Sequence, residues 1–182
     1  MIYPNTVFIG LEASIKTDST NYKEFPENYS WLQREQASYK DLGFIIVHEN
    51  LHTLQKNNLS DNSILNQAIV EGAAVFLTEY FCGKESLIGD AGINKMIDYA
   101  KANNKTLWIE FKNDLSQPGK FSEWFWNDDS KYPYSMGYYM GYMICKSYYE
   151  NSANKKKAIK ILIEAKESKT IYEQSKYSQN SM

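Results

Sequence analysis

Arginine is almost missing from this sequence: Arg34 is the only one among 182 residues. With 20 Lys+Arg against 22 Asp+Glu the formal net charge is -2, so there is neither a basic surface nor the supply of bidentate guanidinium groups that DNA or RNA recognition draws on, and we expect no nucleic-acid partner. Cysteine is scarce too. Cys82 and Cys145 lie far apart and in no CxxC arrangement, which excludes a cysteine zinc site and a disulfide scaffold. No apolar run approaches the ~18 residues of a membrane helix, so no transmembrane segment is expected. Met1 to Asn5 lacks the basic and apolar regions of a signal peptide. Histidine is equally rare, with only His48 and His52.

What remains is an ordinary globular composition: 43% hydrophobic, 23% charged, 9 Gly and 4 Pro. No repeat, linker or change of composition divides the chain, and we read residues 1–182 as a single domain. Thr6 to Leu11 is a β-branched and aromatic run behind Pro4 and the one convincing strand. A first helix is expected to begin near Trp31. Phe44 to Lys56 repeats apolar residues every three or four positions, as one face of a helix does. Asp61-Asn62-Ser63 offers caps for another helix, which runs to the Phe81-Cys82-Gly83 stop. A shorter helix is expected over Ile93 to Ala102, then a broken helix and irregular loop from Thr106 to Trp126. Helices are expected again over Tyr134 to Tyr149, Lys155 to Lys166 and Ile171 to Tyr177, making the fold class α+β and mainly helical.

Both histidines fall in one motif, His48-Glu49-Asn50-Leu51-His52. Residues four apart on a helix project from nearly the same face, so two imidazoles at this spacing can reach one Zn2+ ion. Glu49 then turns toward the water that the metal holds and can take its proton during attack on a carbonyl. By chance an HExxH arises in roughly half a percent of chains of this length. Two features raise its weight: no histidine lies outside it, and Glu71 follows His52 after eighteen residues, in the middle of the next expected helix. A carboxylate among Ala, Gly, Ile and Val is costly to bury without a partner, which a zinc ion would supply. The competing reading is a glutamate on a solvent-facing helix surface.

The HExxH sequence with its later Glu resembles the gluzincin class of zinc metallopeptidases. That resemblance implies His48, His52 and Glu71 as metal ligands, Glu49 as general base and a zincin-like, compact gluzincin domain. Over more of the chain, Phe8-Ile9-Gly10-Leu11, Glu71-Gly72-Ala73-Ala74 and Gly137-Tyr138-Tyr139-Met140-Gly141-Tyr142 look like the predicted Zn-dependent proteases of the DUF2268 type and the related gliding-motility lipoprotein B family. Members of these groups are often exported or lipid-anchored. The implied function is hydrolysis of peptide bonds in a peptide or protein substrate by Glu-assisted attack of zinc-bound water. The alternative is a non-proteolytic zincin-fold binding or assembly factor of a cell-envelope machine.

The sequence departs from the gluzincin pattern in two places. Many thermolysin-like enzymes have an acid four positions after the ligand glutamate, to orient a histidine, but here that position is Val75 and the next acid is Glu79. A backbone carbonyl or Asp61 is left to do that work. There is also no third histidine to stabilise an oxyanion, which leaves a tyrosine: Tyr138 first, Tyr142 next, four apart beside Gly137 and Gly141. Among 15 Tyr, core packing is the competing reading for both. The resemblance further implies a strand that pairs with extended substrate, and Val7 to Leu11 is the candidate. A lone strand needs partners, so we expect a small N-terminal sheet or edge strand in an N-terminally truncated form of a longer protein. Trp124, Trp126, Tyr132 and Tyr134 could line a cleft or fill a core.

Overall fold

The computed structural model describes residues 6–8, 10, 15–27, 37–58, 60–83, 91–117, 120–125, 132 and 136–177. Two short strands, β1 (Ile15–Lys16) and β2 (Ala37–Ser38), pair in parallel with Ile15 opposite Ala37. Seven α-helices follow among the described residues: α1 (Leu42–Leu54), α2 (Ile64–Cys82), α3 (Ala91–Asp114), α4 (Phe121–Phe125), α5 (Met136–Asn151), α6 (Lys155–Glu164) and α7 (Ser168–Ser175). The fold is mainly helical with a small N-terminal sheet, as the sequence indicates.

The centre of the molecule is α2. Ser63 caps its first turn by accepting from the Asn66 N–H at 3.2 Å, and Asp61 Oδ1 in turn accepts from Ser63 N–H at 3.0 Å. Gly83 ends it with φ +87°, a conformation glycine adopts without Cβ strain. Residues 68–74 are buried one after another, so α2 has no solvent face there and is surrounded rather than amphipathic. Its main neighbour is α5, with α1, α6 and α7 also against it.

Two glycines set the separation of α2 and α5. A Cβ built on Gly72 would lie 2.0 Å from the Gly141 carbonyl carbon, and one on Gly141 would lie 1.7 Å from the Ala68 carbonyl oxygen. Only hydrogen fits on both sides of this crossing. The apolar side chains of the helices form one contiguous core, and Trp108, Phe111 and Trp124 are buried in it.

Two expectations need correcting. Val7, Phe8 and Gly10 form no strand, and Phe8 is 68% exposed; Ile9 and Leu11 lie outside the described residues. The sheet forms instead from the more polar Ile15–Lys16 and Ala37–Ser38. The expected break after Ala102 is only a kink at Asn103 (φ -120°, ψ 15°), and the helix continues to Asp114 because Leu107, Trp108 and Phe111 turn into the core. Of the four aromatics near residue 130, Trp124 and Tyr132 are core residues that stack on each other, with centroids 4.4 Å apart. Trp126 and Tyr134 lie outside the described residues, as do 28–36 with the helix expected near Trp31.

No helix among the described residues is long and apolar enough to cross a membrane.

Candidate metal centre

Helix α1 brings His48, Glu49 and His52 to one face, and their ligand atoms lie within 4.8 Å of one another. The two rings stand edge to face, with interplanar angle 84°, and point Nε2 at Nε2 across 3.1 Å. Glu71 enters from α2. Its Oε2 lies 3.4 Å from His48 Nε2 and 3.3 Å from His52 Nε2.

These distances decide what the triangle can hold. A tetrahedral zinc with bonds of 2.0–2.1 Å sets neighbouring ligand atoms about 3.3 Å apart. The observed edges of 3.1, 3.4 and 3.3 Å match that spacing. Hydrogen bonding leads the same way. Gln55 donates through Nε2 to the Val70 carbonyl at 2.7 Å, so its Oε1 is the atom facing His52 Nδ1 at 2.8 Å. An oxygen can only accept, so Nδ1 carries a proton and Nε2 of a neutral His52 presents a lone pair. Glu71 Oε2 is buried and faces the two histidine Nε2 atoms. With His48 Nε2 opposite, these atoms converge where a cation would pair with them, and the donor set suits zinc.

The titration of the metal-free site reflects the same demand. Burial works against charge on His52, yet the hydrogen bond and charge of Glu71, then Gln55 and Glu49, push its pKa from 6.5 up to about 9. Burial would raise Glu71, but the two histidines outweigh it and pull the carboxyl from 4.5 down to about 2. Without metal, a proton supplies the positive charge.

The surroundings are unequal. Glu71 Oε1 accepts from Gln67 Nε2 at 2.9 Å, which leaves Oε2 facing the histidines. His48 Nδ1 is buried without a hydrogen-bond partner; Phe44 and Tyr138 lie nearly parallel to the His48 ring, at centroid distances of 5.6 and 6.5 Å. The C-terminus of α1 is tied to α6 through Lys56, whose N–H donates to the Glu164 carbonyl at 2.7 Å and whose Nζ donates to Glu164 Oε1 at 3.0 Å.

Of the two tyrosines, the structure brings only Tyr138 to the histidines. Tyr142 donates its hydroxyl to Glu79 Oε2 and accepts from Lys146 Nζ at 2.9 Å. Burial and the Glu79 carboxylate raise its pKa well above the usual phenol range. Glu79 is thus occupied with Tyr142, and Asp61 accepts from the N–H of the cap residue Ser63, so neither acid orients a histidine.

That part belongs to Gln55, which sequence reasoning missed along with Gln67. Both carry a local signal: Gln55 follows His52 by three positions, and Gln67 precedes Glu71 by four on α2.

The family model described as "Predicted Zn-dependent protease (DUF2268)" matches residues 13–170, which takes in both α1 and α2, and the chain belongs to this family. No curated protein and no solved structure matches it.

Proposed function

We propose that this member of the DUF2268 family is a zinc-dependent metallopeptidase of the gluzincin type, formed as one domain, with His48, His52 and Glu71 as ligands and Glu49 as general base. The observation that carries the reading is the triangle of His48 Nε2, His52 Nε2 and Glu71 Oε2, with edges of 3.1 to 3.4 Å. A structural zinc site usually closes with a fourth protein ligand and has no use for a free carboxylate beside it. Bound there, zinc supplies Lewis acidity, lowering the pKa of a water toward ~7 and polarising a carbonyl.

The chain's residues supply the rest. Glu49, on the turn between the histidines, takes the proton of the attacking water and delivers it to the leaving amine nitrogen. Tyr138, whose ring centroid lies 6.5 Å from that of His48, is the phenol we assign to the oxyanion that develops on the scissile carbonyl. Tyr142 is held by Glu79 and Lys146 and supports α2 against α5.

The test is turnover of a quenched-fluorescent peptide library by the zinc-loaded chain, with Glu49→Gln as control. Cleavage that is lost in Glu49→Gln and restored to apoprotein by zinc supports the reading. Tight zinc binding with no cleavage of any peptide or protein offered would favour the non-proteolytic binding or assembly factor.

A further inference from the structure

Two glutamines touch the proposed ligands and take no part in the chemistry above. Gln55 lies at the C-terminal end of α1, where its backbone N–H donates to the His52 carbonyl at 3.3 Å and its side chain reaches the ring of the same residue. Gln67 sits one turn before Glu71 on α2. A carboxamide can face a partner in two ways, but here the partners decide which.

The Val70 carbonyl accepts only, so Gln55 turns its NH2 group there at 2.7 Å and its oxygen to His52 Nδ1. An ionised Glu71 accepts only, so Gln67 turns its NH2 group to Oε1 at 2.9 Å. We propose that Gln55 and Gln67 are positioning residues for the metal: Gln55 holds the proton of His52 on Nδ1 so that Nε2 coordinates, and Gln67 occupies Oε1 of Glu71 so that Oε2 alone coordinates. The inference rests on the reading of His48, His52 and Glu71 as ligands. It gives α2 two links to the ligands of one ion, because the Val70 carbonyl that fixes Gln55 adjoins Glu71.

The two amides work with opposite polarity. Gln55 accepts from its ligand, and Gln67 donates to its ligand. A Gln→Glu exchange keeps side-chain size but replaces the NH2 donor by a carboxylate oxygen and adds a negative charge, so at 55 it keeps an acceptor for His52 Nδ1 while losing the bond to the Val70 carbonyl, and at 67 it sets one carboxylate against another.

The experiment is competitive zinc titration against a chromophoric chelator on the full chain, wild type beside Gln55→Leu, Gln55→Glu, Gln67→Leu and Gln67→Glu. We expect roughly 10- to 100-fold weaker zinc binding in both Leu variants, the usual effect of removing an outer partner of a ligand. Gln55→Glu should recover most of the loss seen in Gln55→Leu, and Gln67→Glu should not recover that of Gln67→Leu. Nitrogen NMR of the zinc-loaded wild type gives a readout independent of any variant's folding, with the His52 proton expected on Nδ1. Leu variants that bind zinc within two-fold of wild type, the same sign of effect for Glu at both positions, or a proton on His52 Nε2 would each overturn the inference while leaving the ligand reading intact. A folded wild type that takes up no zinc would overturn the ligand reading and this inference with it.

Discussion

Gly141→Ala places a methyl group where the structure has no room for one. The added carbon would lie 1.7 Å from the Ala68 carbonyl oxygen, and Gly72 Cα lies 3.1 Å away on the same side. A carbon–oxygen contact settles at about 3.3 Å, so α5 and α2 would have to part by about 1.6 Å at their crossing. The obstacle is helix backbone, which cannot rotate aside as a side chain can. We therefore take the upper end of the overpacking range, about 3 kcal/mol or more, less the ~1 kcal/mol that alanine returns in helix propensity. The net expectation is a loss of about 2–4 kcal/mol. The parting acts one turn from Glu71, so zinc affinity should fall with stability. Urea unfolding measures the first and chelator competition the second. Gly43→Ala is the control, because nothing lies within 4 Å of its added carbon, and it should hold or raise stability by up to about 1 kcal/mol. A Gly141→Ala chain within 0.5 kcal/mol of wild type would refute the argument that this glycine sets the helix separation.

Other consequences can be checked directly. In the metal-free chain, His52 has a folded pKa of about 9 against 6.5, so its contribution to stability is complete below pH 6.5 and disappears as pH rises through 9. Glu71, at about 2 against 4.5, contributes fully above pH 4.5 and loses its share as pH falls toward 2, so apoprotein melting should peak between pH 4.5 and 6.5 and decline toward pH 9; a melting temperature still rising from pH 6.5 to 9 would contradict the His52–Glu71 pairing. Tyr138→Phe should slow peptide cleavage by about 100-fold or more with little change in melting temperature. Tyr142→Phe should lower stability by about 1–2 kcal/mol, seen in urea unfolding, because it leaves the half-buried Glu79 carboxylate without its hydroxyl donor. Equal activity in wild type and Tyr138→Phe would remove Tyr138 from the reaction.

How much of this was legible in the sequence depended on how local each interaction is. The histidine pair shares a face through a four-residue helical spacing and Glu71 lies within the buried run 68–74, so a meeting of these side chains could be anticipated from the sequence. Ser63 and Gly83 bound α2 by capping chemistry that acts within a few residues. The helical run of α3 past Asn103 was hidden because its aromatic and polar residues read as a break, while burial of Leu107, Trp108 and Phe111 overrides that local preference. Val7 and Phe8 carried high β-propensity, but propensity for a strand reports fit to a half-buried pleated surface, and Phe8 is mostly exposed. The spacing of Gln55 from His52 was visible, but which end of its amide faces the ring was not, because that depends on the Val70 carbonyl, fifteen residues away on another helix. Nor could the separate roles of Tyr138 and Tyr142 be told apart, since only the packing of α5 on α2 delivers Glu79 to one of them.

The central claim is that three side chains from two helices hold one metal ion. Elemental analysis of purified wild-type protein and Glu71→Ala in parallel tests it most directly. The account predicts about one zinc per wild-type chain and marked loss in Glu71→Ala while the chain stays folded. A folded wild type that carries no zinc, even after reconstitution, would contradict it.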